Sequence, residues 1–494
     1  MTALPHTETG PGTGTATGST TGLRTGADYR AALDDGRDVR VDGERVTGSV
    51  ADHPAFAGVV ATMAGLYDAA HEAGSPVVDP DSGQLSMFTV PRTRAQHDLR
   101  KVGLEAWSGA AHGFIGRGPD HVAGLLAGFA GAAHLFDTED HQQGAAVVAL
   151  REEAAAKGLW ITNSIVPPQQ NRNDPTSRVT PTHLVEETSE GIVVHGAQML
   201  GTGAAVADEI FVTSVRPLSP TESEKALSFV VPVSAPGLRL LCRRPYATAG
   251  APFDYPLSHR FDETDAMVVM DHVLVPWDRV LAVGEVDVVN RQFFGTGAHQ
   301  IGNFQSIVRL GAKLRFLTGV ASLVAKANGR DTDPGVRAQL ADLATVQTIS
   351  QSLTESAHQF AEADADGVIR PAGQYLYAAL GMQTDVYPKA VRMLGELVGG
   401  GVIQVPSSVA DFDDPDQVAA MDVVMGSDEV PVDERVKLFK LAWELVGSEF
   451  AGRHVQYERF YSGAPPVVKM HAFRHYPFGD VERLAQGFLD SYGV

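Results

Sequence analysis

The stretch GIVVHGAQML, residues 191–200, is the first of several short runs that are rich in β-branched residues. The others are EIFVTSV (209–215), LSFVVPV (227–233), LRLLCR (238–243) and AMVVMDHVLVP (266–276). Valine and isoleucine favour strands, and glycine, proline, serine and aspartate separate the runs. The pattern predicts a β region between about residues 180 and 285.

On both sides of this region, apolar residues recur at the three-to-four spacing of one helix face. The segment HPAFAGVVATMAGLYDAAHEAG (53–74) precedes the β region, and IGNFQSIVRLGAKLRFLTGVASLVAKA (301–327) follows it. Helices and strands that are segregated along the chain favour an α+β fold over a succession of βαβ units.

The changes of pattern predict the domain organisation. The predicted parts are a disordered tail (1–22), an N-terminal helical domain (23–160), a central antiparallel β domain (161–290), a C-terminal helical bundle (291–465) and a C-terminal tail (466–494). The first of these is rich in glycine and threonine, and it has too little apolar surface to offset the entropy lost on ordering.

The composition excludes several classes of function. The chain of 494 residues has 39 basic and 60 acidic side chains and a formal net charge of −21. This balance argues against nucleic acid and anionic membranes as partners, because both bind clustered lysine and arginine. Cys242 is the single cysteine, so an intramolecular disulfide, a cysteine-ligated iron–sulfur cluster and a structural zinc site of cysteines are excluded.

Targeting and cofactor motifs are also missing from the sequence. It has no run of eighteen apolar residues and no signal peptide, so we predict a cytoplasmic protein. No strand–GxGxxG–helix unit is present, which argues against a nicotinamide-binding Rossmann domain. His471 and His475 are spaced four apart without a companion ligand, and we predict no metal site.

The segment GRGPDH (116–121) is the first candidate for chemistry, because Arg117 lies between two glycines. Pro119 is placed to begin a helix, and Asp120 then lies in its first turn, where a negative charge is favourable. The segment is either a joint between helices, with Arg117 solvated or paired to Asp120, or a site where Arg117 binds an anion or a phenolate.

Three other segments contain more polar residues than a hydrophobic core requires. They are ITNSIVPPQQNRNDPTSR (161–178), GTGAHQIGNF (295–304) with His299 at the start of a long helix, and GSEFAGRH (447–454). An amide-rich loop suits a planar heterocycle, and a histidine in a pocket suits proton transfer near neutral pH. Each segment is also compatible with an ordinary structural role.

Taken together, these segments resemble the flavin-dependent two-component aromatic hydroxylases, typified by 4-hydroxyphenylacetate 3-monooxygenase and including the chlorophenol monooxygenases. The resemblance runs in order from RTGADYRAALDDGRDVRVDGERV (24–46) through GRGPDH, YPLSHRFDETDAMVVMDHVLVPWDRV (255–280) and GGGVIQVPSS (399–408). It ends with KLFKLAWELVGSEFAGRHVQYERFYSG (437–463), and it is far more specific than any single motif.

The resemblance implies a fold and a reaction. The fold is acyl-CoA-dehydrogenase-like, with an N-terminal helical domain, a central β domain and a C-terminal four-helix bundle, assembled as a homotetramer. The reaction uses O2 and reduced FAD delivered by a separate flavin reductase. A C4a-hydroperoxyflavin then transfers oxygen to the ortho or para carbon of a phenolate.

The resemblance also implies roles for individual residues. Arg117 is the cation near the phenol oxygen, His299 is the base or hydrogen-bond partner, and His121 is the second choice for that role. His121 replaces a tyrosine and Asn163 replaces a histidine of the hydroxyphenylacetate branch, so both also line the predicted substrate site. The implied flavin contacts are Asn163, Ser164, Ile165, Thr176, Ser177, Arg178, Val179, Thr202, Ser448, Glu449, Phe450 and Ala451.

Other activities on the same fold remain open at this stage. A flavin-dependent N-oxygenase, or a phenol monooxygenase that expels a halide or a nitro group, fits the same segments. An acyl-CoA dehydrogenase-type oxidoreductase is less compatible with them. The related hydroxybutyryl-CoA dehydratases need several cysteine ligands, which one cysteine cannot supply.

Overall fold

The computed structural model describes residues 22–169, 180–247, 251–427 and 430–493. Its helices are α1 (Gly26–Ala32), α2 (Ala57–Ala70), α3 (Arg94–Ala110), α4 (Pro119–Gly131), α5 (Gly144–Lys157), α6 (Ser258–Phe261), α7 (Val286–Gly295), α8 (Ala298–Ala327), α9 (Pro334–Gln359), α10 (Gly373–Val398), α11 (Pro415–Met425), α12 (Val432–Val446), α13 (Glu449–Phe460), α14 (Pro465–His475) and α15 (Phe478–Leu489). The disordered tail predicted for residues 1–22 lies outside the described residues, except for Gly22.

The strands form two main sheets and one short pair. They are β1 (Asp38–Val41), β2 (Glu44–Arg45), β3 (Ile161–Ser164), β4 (His183–Glu187), β5 (Gly191–Thr202), β6 (Glu209–Thr213), β7 (Leu227–Pro232), β8 (Leu238–Cys242), β9 (Asp265–Pro276), β10 (Val280–Val283), β11 (Glu362–Ala363) and β12 (Ile369–Arg370).

One sheet has the order β2-β1-β8-β9-β5-β4, and the other has the order β10-β7-β6-β3. Their strands pair antiparallel except for the parallel pairs β1–β8 and β3–β6. The predicted β runs become β5 to β9, and the helices flank them in sequence. The predicted α+β, acyl-CoA-dehydrogenase-like architecture is confirmed.

The N-terminal part is not purely helical as predicted, because β1 and β2 join the larger sheet. Val39 and Val41 of β1 are buried while their neighbours in the strand are only partly covered, which is the alternation of a half-buried strand. Four residues give too short a period-two signal to stand out among helical segments. The strand is stabilised by its parallel pairing with β8, which is remote in the sequence.

In the C-terminal part, the long helices α8, α9 and α10 pack along one another, and α12 and α13 pack against α10. The predicted C-terminal tail, residues 466–494, contains most of α14 and all of α15, and α14 packs on α10. Among the described residues, no helix is long and apolar enough to cross a bilayer. The domain boundaries themselves remain a prediction.

Candidate active site

The segment around Arg117 is a tight connection between α3 and α4. His112 and Gly113 have φ of 49° and 74°, so the chain turns sharply where α3 ends. Gly116 packs directly on the ring of Tyr457, where a β-carbon has no room. As predicted, α4 begins at Pro119, whose missing N–H costs nothing at that position.

The backbone of Arg117 is fixed on both sides. Its N–H donates to Oε1 of Glu263 at 2.6 Å, and its carbonyl accepts from Nε1 of Trp160 at 2.7 Å. Burial raises the pKa of the Glu263 carboxyl, which also accepts from the backbone at Gly116 and Arg117. The guanidinium therefore extends from an anchored main chain, which limits the entropy lost when it binds a ligand.

The half-buried guanidinium of Arg117 is held by uncharged groups. Nη1 lies 2.8 Å from Nε2 of His121, and Nη2 donates to the carbonyl of Tyr461 at 2.7 Å. Its central carbon lies 4.1 Å from the centre of the Tyr461 ring. Within the described residues this guanidinium forms no ion pair with a carboxylate.

One of the two interpretations left open by the sequence, a pair between Arg117 and Asp120, is not seen. Asp120 is buried and its Oδ2 accepts from Nε2 of Gln305 on α8 at 2.8 Å. Its Oδ1 has no hydrogen-bond partner in the described part of the chain. The arrangement favours the anion-binding interpretation, because the arginine is free to meet an external negative charge.

His121 is a buried, neutral imidazole. Burial, followed by the charges of Arg117 and Arg309, holds its pKa well below the ordinary value. Nε2 accepts from Arg117, so the ring proton of the neutral form is on Nδ1. A side-chain hydrogen bond with Gln305 raises the pKa against these effects.

The carboxyl group of Asp120 gains or loses its proton near neutral pH, because burial raises its pKa to about 7. In the unfolded chain the pKa of aspartate is about 3.9, so the folded state binds the proton more tightly. Between these values the folded protein holds more protons, and stability falls as the pH rises. The greatest slope from one such group is about 1.4 kcal/mol per pH unit.

We expect the stability of the wild type to fall as the pH rises from 5 to about 7. The Asp120→Asn variant should lack this fall. The measurement is the urea midpoint of unfolding at several pH values. Asp333→Asn is the control, because hydrogen bonds lower the pKa of Asp333, so its effect lies below about pH 4 and its slope between pH 5 and 7 should equal that of the wild type. Identical pH slopes for the wild type and Asp120→Asn would contradict the assignment.

His299 lies at the start of α8, about 9 Å along the helix axis from Gln305. In the described part of the chain, its Nδ1 is 2.9 Å from the hydroxyl of Tyr377, and its ring stacks on Phe294. Burial and the nearby His471 and His475 lower its pKa to about 3. An imidazole with this pKa is a weak base at neutral pH, so the structure favours the hydrogen-bonding role over the base.

A chain of contacts joins Thr202 to α13. Its Oγ1 donates to Oδ1 of Asp265 at 2.7 Å, and Nη2 of Arg453 lies 2.7 Å from the same oxygen. Arg453 and Arg243 favour the charged form and lower the pKa of Asp265 against its burial. Thr202 and the helix that begins after Ser448 are therefore held in one arrangement.

Several more of the predicted flavin residues can be placed in the structure, and four lie outside the described part. Asn163 lies on β3, beside Thr202, because the neighbouring Thr162 donates to the carbonyl of Thr202 at 2.6 Å. Ser448 caps α13 by accepting from the N–H of Ala451 at 3.1 Å, and Phe450 is buried against Phe114. The group Thr176, Ser177, Arg178 and Val179 lies outside the described residues.

The remaining predicted flavin contacts lie at the end of β3 and at the start of α13. Ser164 donates to the carbonyl of Met199 at 2.9 Å, and the half-buried Ile165 follows it at the end of β3. Glu449 is exposed in the first turn of α13. The N–H groups at this end of α13 favour an anion such as a phosphate group.

A cavity of about 890 Å³ lies next to the end of β3. Val166, Gln169, Pro181 and Thr182 are among the described residues that line it. Oγ1 of Thr182, Oε1 of Gln198 and Oδ1 of Asn163 are buried without hydrogen-bond partners among the described residues. Thr182 and Gln198 line the cavity, so it offers unpaired polar atoms to a polar ligand beside the sheets. The described residues that line it include neither Asn163 nor any residue of α13.

The family is shown by comparison with known proteins. The model for the N-terminal part of 4-hydroxyphenylacetate 3-hydroxylase matches residues 25–282, and the model for its C-terminal part matches residues 289–490. The chain belongs to the 4-hydroxyphenylacetate 3-hydroxylase family. The resemblance seen in the sequence is confirmed.

Members of this family match the chain over most of its length. It is 35% identical over 456 residues to the pyoverdin chromophore biosynthetic protein PvcC of Pseudomonas aeruginosa, with 90% of each chain covered. It is 32% identical over 481 residues to the oxygenase component of 4-nitrophenol 2-monooxygenase of Rhodococcus sp, with 94% of this chain and 91% of the relative covered. The structure of the oxygenase component of 4-hydroxyphenylacetate 3-monooxygenase, complexed with FAD and 4-hydroxyphenylacetate, superposes with a TM-score of 0.89 at 30% identity. That superposition covers 95% of this chain and 98% of the solved chain.

The candidate site contains residues that sequence reasoning missed. Tyr461, Glu263 and Gln305 touch the Arg117 segment, and Asp265 and Arg453 link Thr202 to α13. All of them except Gln305 lie in segments that carry the family resemblance. Arg453 lies on α13, and Tyr461 follows the end of that helix.

Proposed function

We propose that this chain is the oxygenase component of a two-component monooxygenase, which hydroxylates a phenol with reduced FAD and O2. The observation that carries the proposal is the anchored guanidinium of Arg117, which has no counterion among the described residues. A phenolate supplies the missing negative charge. The relatives named as phenol monooxygenases, and the related structure with FAD and 4-hydroxyphenylacetate, support this class of reaction.

The chain's own residues promote the reaction through the phenol oxygen. Arg117 stays charged when buried and lowers the free energy of the phenolate. Nε2 of His121 accepts from the guanidinium and helps to hold it beside that oxygen. The phenolate has more electron density than the phenol at its ortho and para carbons, which makes these carbons nucleophilic.

FAD is held in this proposal by Asn163, Ser164 and Ile165 on one side, by Thr202, and by Ser448 to Ala451 at the start of α13. Thr176 to Val179 complete the proposed set. Reduced FAD, when bound, supplies the electrons that turn O2 into a source of electrophilic oxygen. The buried aromatic side chains around the Arg117 segment exclude water, which protects this chemistry from loss as hydrogen peroxide.

The identity of residue 121 restricts the substrate. In the hydroxyphenylacetate branch a tyrosine corresponds to His121, and a histidine corresponds to Asn163. Both changes alter contacts to the phenol, so we assign to this chain a phenol other than 4-hydroxyphenylacetate. The positive charge of Arg117 stabilises an anionic substrate such as a phenolate, but it does not stabilise an amine. N-oxygenation is therefore the weaker alternative.

The partners follow from the same assignment. A separate flavin reductase supplies reduced FAD, and four copies of the chain assemble into a homotetramer. Exposed apolar side chains on α15, including Leu484 and Phe488, offer surface for contacts between copies. The single cysteine suits the reducing environment of the cytoplasm.

The test is a single-turnover experiment with chemically reduced FAD. The protein is mixed anaerobically with reduced FAD and one of a panel of phenols, and O2 is then added. We expect more hydroxylated phenol than hydrogen peroxide, measured by mass spectrometry and a peroxide assay. If reduced FAD reoxidised at its rate in free solution and gave peroxide alone with every phenol, the proposed function would be wrong.

A further inference from the structure

The outer face of the larger sheet carries a group of metal-ligating side chains outside the proposed active site. They are His195 on β5 and the adjacent Asp271 and His272 on β9. One ligand atom of each lies within 4.8 Å of the other two. We propose that these three residues bind one divalent transition-metal ion, with zinc as the ion that suits them best.

The distances are close to those of a zinc site. Nδ1 of His195 lies 3.4 Å from Oδ1 of Asp271, and Nδ1 of His272 lies 2.8 Å from the same oxygen. In a tetrahedral site with bonds of about 2.0–2.1 Å, neighbouring ligand atoms lie about 3.3 Å apart. Small rotations of partly exposed side chains are enough to bring the three atoms around an ion.

A β-bulge brings the three side chains to the same face. Val194 pairs with Val273, and Gly196 pairs with Met270, so His195 lies opposite two residues, Asp271 and His272. In a regular strand, adjacent side chains point to opposite faces. Here both are exposed, and His272 has a left-handed φ of 53°. Bulges of this kind redirect a side chain, and in this sheet the redirected side chain is the second imidazole.

The donor set fits zinc rather than calcium or magnesium. Two imidazoles and one carboxylate are ligands that zinc binds well, whereas calcium and magnesium prefer oxygen. Three protein ligands also leave a position for water. Metal binding would replace the contacts that Oδ1 of Asp271 makes with Nδ1 of His195 and Nδ1 of His272.

Metal binding at this position fixes the register of β5 and β9. The same two strands pair Thr202 with Asp265 at their other end, about 23 Å from His195 along the strand. The proposed ion therefore stabilises the strand pair that positions Thr202. No metal site is expected from the sequence, because the ligands come from two strands that are far apart along it.

The test is zinc binding by the full chain after treatment with EDTA, measured by isothermal titration calorimetry with zinc chloride. The variants are His195→Gln and His272→Gln. The matched control is His134→Gln, because His134 is also exposed beside a single carboxylate, that of Asp366, at 3.8 Å.

We expect the wild type and His134→Gln to bind one more equivalent of zinc than either of the other two variants. Alternatively, each of those variants retains the equivalent with at least about tenfold weaker affinity. Zinc should also raise the melting temperature of the wild type and of His134→Gln, but not of the other two. If the wild type bound no zinc, or if all four proteins bound it equally, His195, Asp271 and His272 would form only a surface ion pair, and the proposal would be wrong.

Discussion

Replacing Arg117 by alanine is expected to lower kcat/KM for phenol hydroxylation by about 10²–10³-fold, the usual effect of removing one donor to a developing oxyanion. The reason is the loss of a charge that has no substitute among the described side chains near the proposed phenol site. The measurement is the rate of product formation with excess reduced FAD, together with the yield of hydrogen peroxide. Peroxide should rise as product falls, since reduced FAD still reacts with O2.

Two controls separate this effect from misfolding. Arg117→Lys keeps the charge but not the planar guanidinium, and should recover only part of the activity. Added guanidinium ion should partly restore Arg117→Ala and leave Arg117→Lys nearly unchanged. Wild-type hydroxylation in Arg117→Ala, with an intact circular dichroism spectrum, would remove the role of Arg117.

The second large effect concerns stability, and it is expected for Glu458→Gln. Oε2 of Glu458 lies 2.6 Å from Nη2 of Arg309, and Oε1 lies 2.6 Å from Nζ of Lys313, with all three side chains fully buried. The carboxylate is the shared counterion, and both cations lower its pKa against the effect of burial. Its removal leaves the buried charge of Arg309 unpaired and takes away the anion that favours protonated Lys313, whose pKa burial lowers to about 7. The substitution should cost about 3–5 kcal/mol of the free energy of unfolding.

Lys313→Met is the matched control for this prediction. It leaves the pair between Arg309 and Glu458 intact, so its cost should be clearly smaller than that of Glu458→Gln. The comparison is made from the midpoints of urea unfolding followed by circular dichroism. Equal losses in the two variants would show that Glu458 does not act as the common counterion.

The sequence predicted the parts of the fold that have strong local signals. The β-branched runs became strands, and Pro119 began α4 as expected. Strand β1 was missed because its four residues are stabilised by β8, about 200 positions away along the chain, rather than by local pattern. In the same way, the helical character of α15 was not evident from the short segment after Pro465.

The part of the candidate site that is close together in the sequence was predictable. Arg117 and His121 are four apart at the start of a helix, and the structure brings their side chains together. The contacts of Arg117 with Tyr461 and of Thr202 with Asp265 join distant segments, so no local spacing indicates them. The lowered pKa of His299 likewise depends on residues from α14, which the sequence places far away.

Helix α13 contacts most of the proposed site residues, and this limits which substitutions the protein can tolerate. Its first turn contains the proposed flavin residues, Arg453 contacts Asp265, Glu458 neutralises two buried cations, and Tyr461 just beyond its end holds Arg117. A substitution along this helix disturbs several tasks at once. His121 on α4, in contrast, has side-chain hydrogen bonds with Arg117 and Gln305 only, among the described residues. Divergence toward a new phenol is therefore less costly at His121 than along α13.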